Sequence, residues 1–175
     1  MDYVTADLHF GHKSIIKFQE RNKFDTIEDH DNFIIRRLNE TLKPDDTLYV
    51  LGDVGFRSPS QTLAELGQKI RRIECARKVL IMGNHDRFSP AEAIGILGFD
   101  EVHRGPIYYH HAEAHGKIIL SHEPVKEALD NPFVINVHGH IHNYKLNLSG
   151  FYNVNIGMNA YRPIPMSRFV NLARN

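Results

Sequence analysis

The chain has 175 residues, with 21 lysines and arginines balanced by 21 aspartates and glutamates. That length suits one domain with a real core, here read as a single domain over 1–175, and zero net charge excludes a surface that is basic all over. A lone cysteine, Cys75, excludes both an internal disulfide framework and a thiolate-rich zinc site, whereas twelve histidines make imidazole the abundant reagent.

The opening residues MDYVTADLHF are too few and too polar for a signal peptide, and no apolar run reaches membrane-spanning length. A soluble, cytoplasmic protein is expected. In chain order, the short apolar runs that read as strands are YVTA (3–6), TLYVLG (47–52), KVLIMG (78–83), KIILS (117–121), FVINVH (133–138), YNVNIG (152–157) and FVNLA (169–173). Helix starts lie between the early runs: Thr26 with Asp29, Ser58-Pro59 with Gln61, and Ser89-Pro90 with Glu92, each a hydroxyl cap with an acid or amide at the third position. The first half therefore reads βαβαβα and the second half mostly strands, an α/β pattern without repeats or linkers. The stretch 107–120, IYYHHAEAHGKIIL, reads as a hairpin on a sheet edge, with polar residues through Gly116 in the turn.

The residues that follow these strands carry the chemistry. Asp7 and His9 follow the first run, Asp53 the second, Asn84 and His85 the third, His122 the fourth, and His140 and His142 the fifth. Ligands bind at the carboxyl edge of such sheets, so these segments are expected to converge. Residues two apart on an extended chain share a side, which pairs Asp7 with His9 and His140 with His142. Gly52, Gly83 and Gly139 stand just before candidate ligands, where a missing side chain permits a tight turn. Carboxylate, imidazole and amide without thiolate form a mixed nitrogen and oxygen set, and two aspartates, four histidines and one asparagine exceed what one tetrahedral ion uses. The set points to two metals.

The blocks DLH (7–9), GDVG (52–55), GNHD (83–86), SHEP (121–124) and GHIH (139–142), in that order, resemble those of the calcineurin-like metallophosphoesterases. The opening DLHFGHKSIIKF and closing NIGMNAYRPI are similar to the compact bacterial and phage members without a cap domain, which implies a bacterial or phage-infected cell. The resemblance implies an α/β/β/α sandwich of two mixed sheets flanked by helices. It implies that Asp7, His9 and His142 hold one divalent metal, that Asn84, His122 and His140 hold a second, and that Asp53 bridges them. Manganese is the first expectation for both ions, with Fe, Zn, Ni, Co and Mg as alternatives. A bridging hydroxide would attack the phosphorus, His85 would act as general acid or transition-state stabiliser, and Asp86 would orient the His85 ring.

His12 lies where it can cap a helix, meet substrate or face solvent. Arg57 and Arg162 are candidates for a substrate phosphate, since guanidinium suits bidentate contact. His138 reads as support behind the ligands or as a buried hydrogen-bonding residue, His110, His111 and His115 as solvated, and the tyrosines as packing residues, with a base-stacking surface as the alternative. The expected activity is phosphodiester hydrolysis of a nucleotide or nucleic-acid end, with a phosphomonoesterase or phosphoprotein phosphatase second and a non-catalytic metal-binding scaffold third.

Overall fold

In the computed structural model, which describes residues 1–17, 21–55, 58 and 61–173, the apolar runs assemble into two sheets. The first contains β1 (Asp2–Thr5), β2 (Thr47–Leu51), β3 (Arg77–Ile81) and β4 (Glu101–His103), all parallel in the order β4-β3-β2-β1, with the short antiparallel β9 (Ile164–Pro165) beside β1. The second contains β5 (Ile107–Tyr109), β6 (Lys117–Leu120), β7 (Val134–His138) and β8 (Phe151–Asn153), with β6 to β8 parallel and β5 antiparallel on the edge. The hairpin expected at 107–120 is thus β5 and β6.

Strand alternation builds the layers. Leu48 and Val50 of β2 and Leu80 of β3 face one core with Ile34, Leu38, Leu66 and Ile70 of two helices, α1 (Ile27–Asn39) and α2 (Leu63–Arg71). Their neighbours Leu51, Val79 and Ile81 face a second core shared with Ile118 and Leu120 of β6 and Ile135 and Val137 of β7. The sheets therefore pack face to face. On the outer side of the second sheet, Ile119, Val134 and Phe151 meet Ala128 of α4 (Glu127–Asp130). Helices thus flank two mixed sheets, the α/β/β/α arrangement.

Three expectations need correction, the first being YNVNIG, in which the strand β8 ends at Asn153 and Ile156–Asn159 forms a 3-10 helix. FVNLA is not a strand but most of α5 (Ser167–Leu172), whose Phe169 and Val170 close the inter-sheet core while Ser167 and Arg168 face outward. A five-residue apolar run fits either period, and this one lies beyond the last strand that the sheet can pair. The second helix starts at Thr62 rather than Ser58, because Thr62 and Glu65 form a reciprocal capping box while Gln61 sends its side chain to the Phe10 carbonyl, 2.8 Å away. Pro59 itself lies outside the described residues. The caps at Thr26 and Ser89 form as expected; Ser89 starts α3 (Pro90–Glu92), which widens into a π-helical turn over Ala93–Leu97 and ends at left-handed Gly98.

Candidate metal centre

Parallel pairing of β1 with β2 leaves both carboxyl ends at one edge, and the backbone continues to zip beyond the strands. Asp7 N–H donates to the Gly52 carbonyl (3.1 Å), His9 to Asp53 (2.9 Å) and Phe10 to Val54 (3.1 Å). The second sheet joins at the same end: Ala6 N–H donates to Val154 (3.1 Å), Val154 to His138 (2.8 Å), and Gly139 to His122 (3.0 Å). Loops from both sheets are stitched into one rim.

The rim is not extended chain, so alternation does not bring Asp7 to His9 or His140 to His142. Among the described residues, seven non-glycine residues have positive φ, and five are candidate ligands: Asp7 (59°), His9 (52°), Asp53 (51°), His140 (66°) and His142 (53°). Left-handed backbone is costly outside glycine and clusters where surrounding structure fixes a site. Gly52, at φ 76°, needs its freedom, whereas Gly139 is required for space: a Cβ there would lie 2.8 Å from Asp7 Oδ2.

Two groups of donor atoms result. His122 Nε2 lies 2.8 Å from Asn84 Oδ1 and 3.2 Å from His140 Nδ1, and His140 Nδ1 lies 3.1 Å from Asn84 Oδ1. On the other side, the His9 and His142 rings stack at 5.3 Å. Asp53 stands between, with Oδ1 3.5 Å from His122 Nε2 and Oδ2 3.8 Å from His9 Nε2. Ligand atoms of Asp7, Asp53 and His122 all lie within 4.8 Å of one another, and all three side chains are buried.

These donors fit a cation and little else. His122 spends Nδ1–H on the Leu51 carbonyl (2.9 Å), and burial lowers its pKa, so Nε2 carries a bare lone pair facing the Asn84 oxygen. Acceptors at 2.8 Å repel unless a positive charge sits against both. Burial, then the Asp53 charge, pushes the Asp7 carboxyl up to about 7; burial lowers His142 to about 4 and drives His9 well down. The His9, His122 and His142 imidazoles are therefore neutral and ready to coordinate, while two buried carboxylates repel. His9 Nε2, Asp53 Oδ2 and His142 Nδ1 are buried without a hydrogen-bond partner among the described residues, as ligand atoms for an ion would be.

Other expected site residues fall differently. The ring of His85 lies 6.0 Å from His9 and that of His12 lies 5.5 Å from His9, so both border the centre. Asp86 is engaged with backbone. Its carboxylate accepts backbone N–H groups of Gly83 (2.8 Å), Asp53 (3.0 Å) and Val54 (2.9 Å), tying two ligand loops together, and burial raises its pKa to about 7. Arg162 is committed elsewhere, to Thr41 Oγ1 (2.9 Å) and Glu40 Oε2 (3.1 Å), which removes it as a phosphate contact. Arg57 lies outside the described residues. His138 is buried with Nδ1 on the Gly139 carbonyl (2.9 Å), the hydrogen-bonding role expected for it.

Sequence reasoning missed the support behind Asp7 and His9. Fully buried Arg21 donates to the Asp7 carbonyl (2.9 Å) and pairs through Nη1 with His30 Nε2 (2.8 Å). His30 Nδ1 pairs with Asp31 Oδ1 (2.8 Å), whose Oδ2 accepts from Gly11 N–H (2.9 Å) and Lys69 Nζ (2.7 Å). The signal was present: His30 and Asp31 share helical spacing with Ile34, Ile35 and Leu38, so charge sits on the buried face of α1. Asn155, within the closing NIGMN block, donates to Asp7 Oδ2 (2.9 Å).

Comparison with known proteins agrees with this geometry. The Gene 66 protein of Mycobacterium phage L5 is 31% identical over 163 residues, spanning 80% of this chain and 76% of that protein. The uncharacterized protein MJ1445 of Methanocaldococcus jannaschii is 25% identical over 182 residues, spanning 97% of this chain and 89% of that one. Among solved structures, the protein of unknown function AQ665 from Aquifex aeolicus superposes with a TM-score of 0.75 at 27% identity, covering 98% of both chains. A family model described as calcineurin-like phosphoesterase matches residues 3–162, which span every loop of the rim. Two clasped mixed sheets, a donor set suited to cations and a match over nearly the whole length lead to one conclusion: the chain belongs to the calcineurin-like phosphoesterase family.

Proposed function

We propose that this phosphoesterase is a phosphodiesterase, acting as one domain, with Asp7, His9 and His142 holding one divalent ion, Asn84, His122 and His140 a second, and Asp53 bridging both. The observation that carries the diester reading is the openness of the rim: Asn84 is exposed, and His85, His140 and His142 are half-exposed. An ester with groups on both sides of phosphorus can approach such an edge.

Two divalent ions bound there, manganese first, supply charge neutralisation for the phosphate oxygens and lower the pKa of the attacking water. The chain's own residues do the rest. Asp53 is held in place by His85 N–H, which donates to its Oδ1 at 3.0 Å, so the bridging carboxylate and the His85 backbone move as one. Asp86 locks the same loops from behind. The His85 ring, beside the centre and outside the ligand set, delivers a proton to the leaving oxygen and stabilises the developing charge. His12 assists in orienting the ester.

The test compares metal-stripped protein reloaded with Mn²⁺ on bis(4-nitrophenyl) phosphate and on 4-nitrophenyl phosphate. Faster hydrolysis of the diester is expected; preference for the monoester makes the protein a phosphatase, and no metal-dependent turnover of either removes the catalytic reading. His85→Ala is expected to lower kcat by about 10²–10⁴ with metal content intact. Unchanged turnover in that variant eliminates the acid role.

A further inference from the structure

Two arginines near the rim stand apart from those engaged elsewhere in the fold. Among the described residues, Arg37, Arg71, Arg72, Arg77 and Arg162 each direct the guanidinium to a carboxylate, an amide, a hydroxyl or a carbonyl. Arg87 and Arg104 are exposed and make no such contact with a described residue. Both are held by backbone pairing to the third ligand loop. Arg87 N–H donates to the His85 carbonyl (2.9 Å), and the residue before Arg104, His103, accepts from Met82 N–H (2.8 Å) as β4 runs beside β3.

Their positions trace a path. A groove of about 400 Å³ begins at Asn84 and His122 and reaches Arg104 past Met82 and Gly83. A second, shallower groove of about 540 Å³ shares Met82, Gly83 and Arg104 and continues to Arg87. Of the carboxylates lining them, Asp86 is buried and satisfied by three backbone N–H groups, and Glu123, beside His122 in sequence, is exposed. Arg87 and Arg104 are the cationic side chains lining this path, with Glu123 at its His122 end and Asp86 beneath it.

We infer that Arg87 and Arg104 form an anion track that binds phosphates neighbouring the scissile one in a single-stranded oligonucleotide. The inference rests on the phosphodiesterase reading and names its substrate class. A lone phosphate ester is served by the centre itself; further guanidiniums act on a substrate that carries more than one anionic group. Guanidinium offers planar donors to phosphate oxygens and reads no sequence. The path is open and elongated, as a strand requires, and lacks the enclosed pocket that a mononucleotide needs to hold its base.

The test uses Mn²⁺-loaded protein and two readouts. Binding of a fluorescein-labelled, phosphorothioate-linked decathymidylate is followed by anisotropy across salt, and kcat/KM is measured on bis(4-nitrophenyl) phosphate. The Arg87→Gln, Arg104→Gln double variant is expected to bind the oligonucleotide about 10–100-fold more weakly, with a salt slope shallower by about 1.4 (about 0.7 for each single-strand phosphate no longer neutralised), and to keep kcat/KM on the small diester. Each single variant should show part of the loss. The track is overturned if wild type does not bind the oligonucleotide, if the double variant binds equally, or if turnover of the small diester falls in parallel. Displacement of the oligonucleotide by ADP or an acidic phosphopeptide at matched charge also overturns it. Arginine-dependent binding without turnover of any ester leaves the track standing and removes the phosphodiesterase reading instead.

Discussion

His122 illustrates how one hydrogen bond decides what a side chain can do. With Nδ1–H on the Leu51 carbonyl, the ring has a single available lone pair, and its direction is set by the strand before it. Asp7 is the converse case, a carboxyl pushed up to about 7 by burial and by the Asp53 charge. Because that pKa is raised, the metal-free protein holds a proton on Asp7 below about pH 7, and an incoming cation must displace it. Metal affinity should therefore fall as pH drops below about 7 and level off above it. Calorimetry of Mn²⁺ binding in two buffers of different ionisation enthalpy checks the sign: more proton release at about pH 6 than at about pH 8.5. Asp53→Asn removes the charge that both donor groups face, and should lower Mn²⁺ content and kcat together; full activity with both ions bound would rule out the bridge.

At the scale of elements, the loop 7–11 depends on α1 as much as on its own residues. Three of its five residues, Asp7, His9 and Gly11, are left-handed, and Arg21, His30 and Asp31 hold its backbone in that shape. Arg21→Met removes the donor to the Asp7 carbonyl and leaves His30 Nε2 without its partner, Nδ1 keeping Asp31. It should lower Tm and weaken Mn²⁺ binding about 10–100-fold, as loss of support behind metal ligands does, with Arg21→Lys recovering part of the affinity. Chelator competition measures the affinity, and a melt of the metal-free variant separates it from simple unfolding. The same scale explains the displaced helix start: Ser58 and Thr62 both carry a hydroxyl and a plausible third residue, and Thr62 prevails because Glu65 returns its hydrogen bond.

Across the whole molecule, ligand loops from two sheets meet at one rim, so cations held there would add a clasp to the apolar interface and the hydrogen bonds, such as Ala6 to Val154 and Asn155 to Asp7, that already join the two halves. Binding to the folded chain alone adds about 2.7 kcal/mol at roughly a hundredfold excess over Kd. For a domain of this size that corresponds to about 5–11 °C in Tm. Stripping the protein with a chelator should lower Tm by that order, and Mn²⁺ should restore it; calorimetric melts with and without metal read the difference.

Sequence alone determined the strands of both sheets' interiors, two of the three helix caps, and the residue types that gather at the rim, because periodicity, capping and donor chemistry are local properties. Tertiary structure decided what depends on neighbours distant in the chain. It turned FVNLA into a helix against the inter-sheet core, gave Asp86 to the backbone of two loops, and drew Arg162 away to Glu40. It also placed Arg21 behind Asp7 and made the rim left-handed rather than extended. A buried carboxylate or guanidinium goes to whichever partners the packed fold brings within reach, and those are fixed only when both sheets are in place.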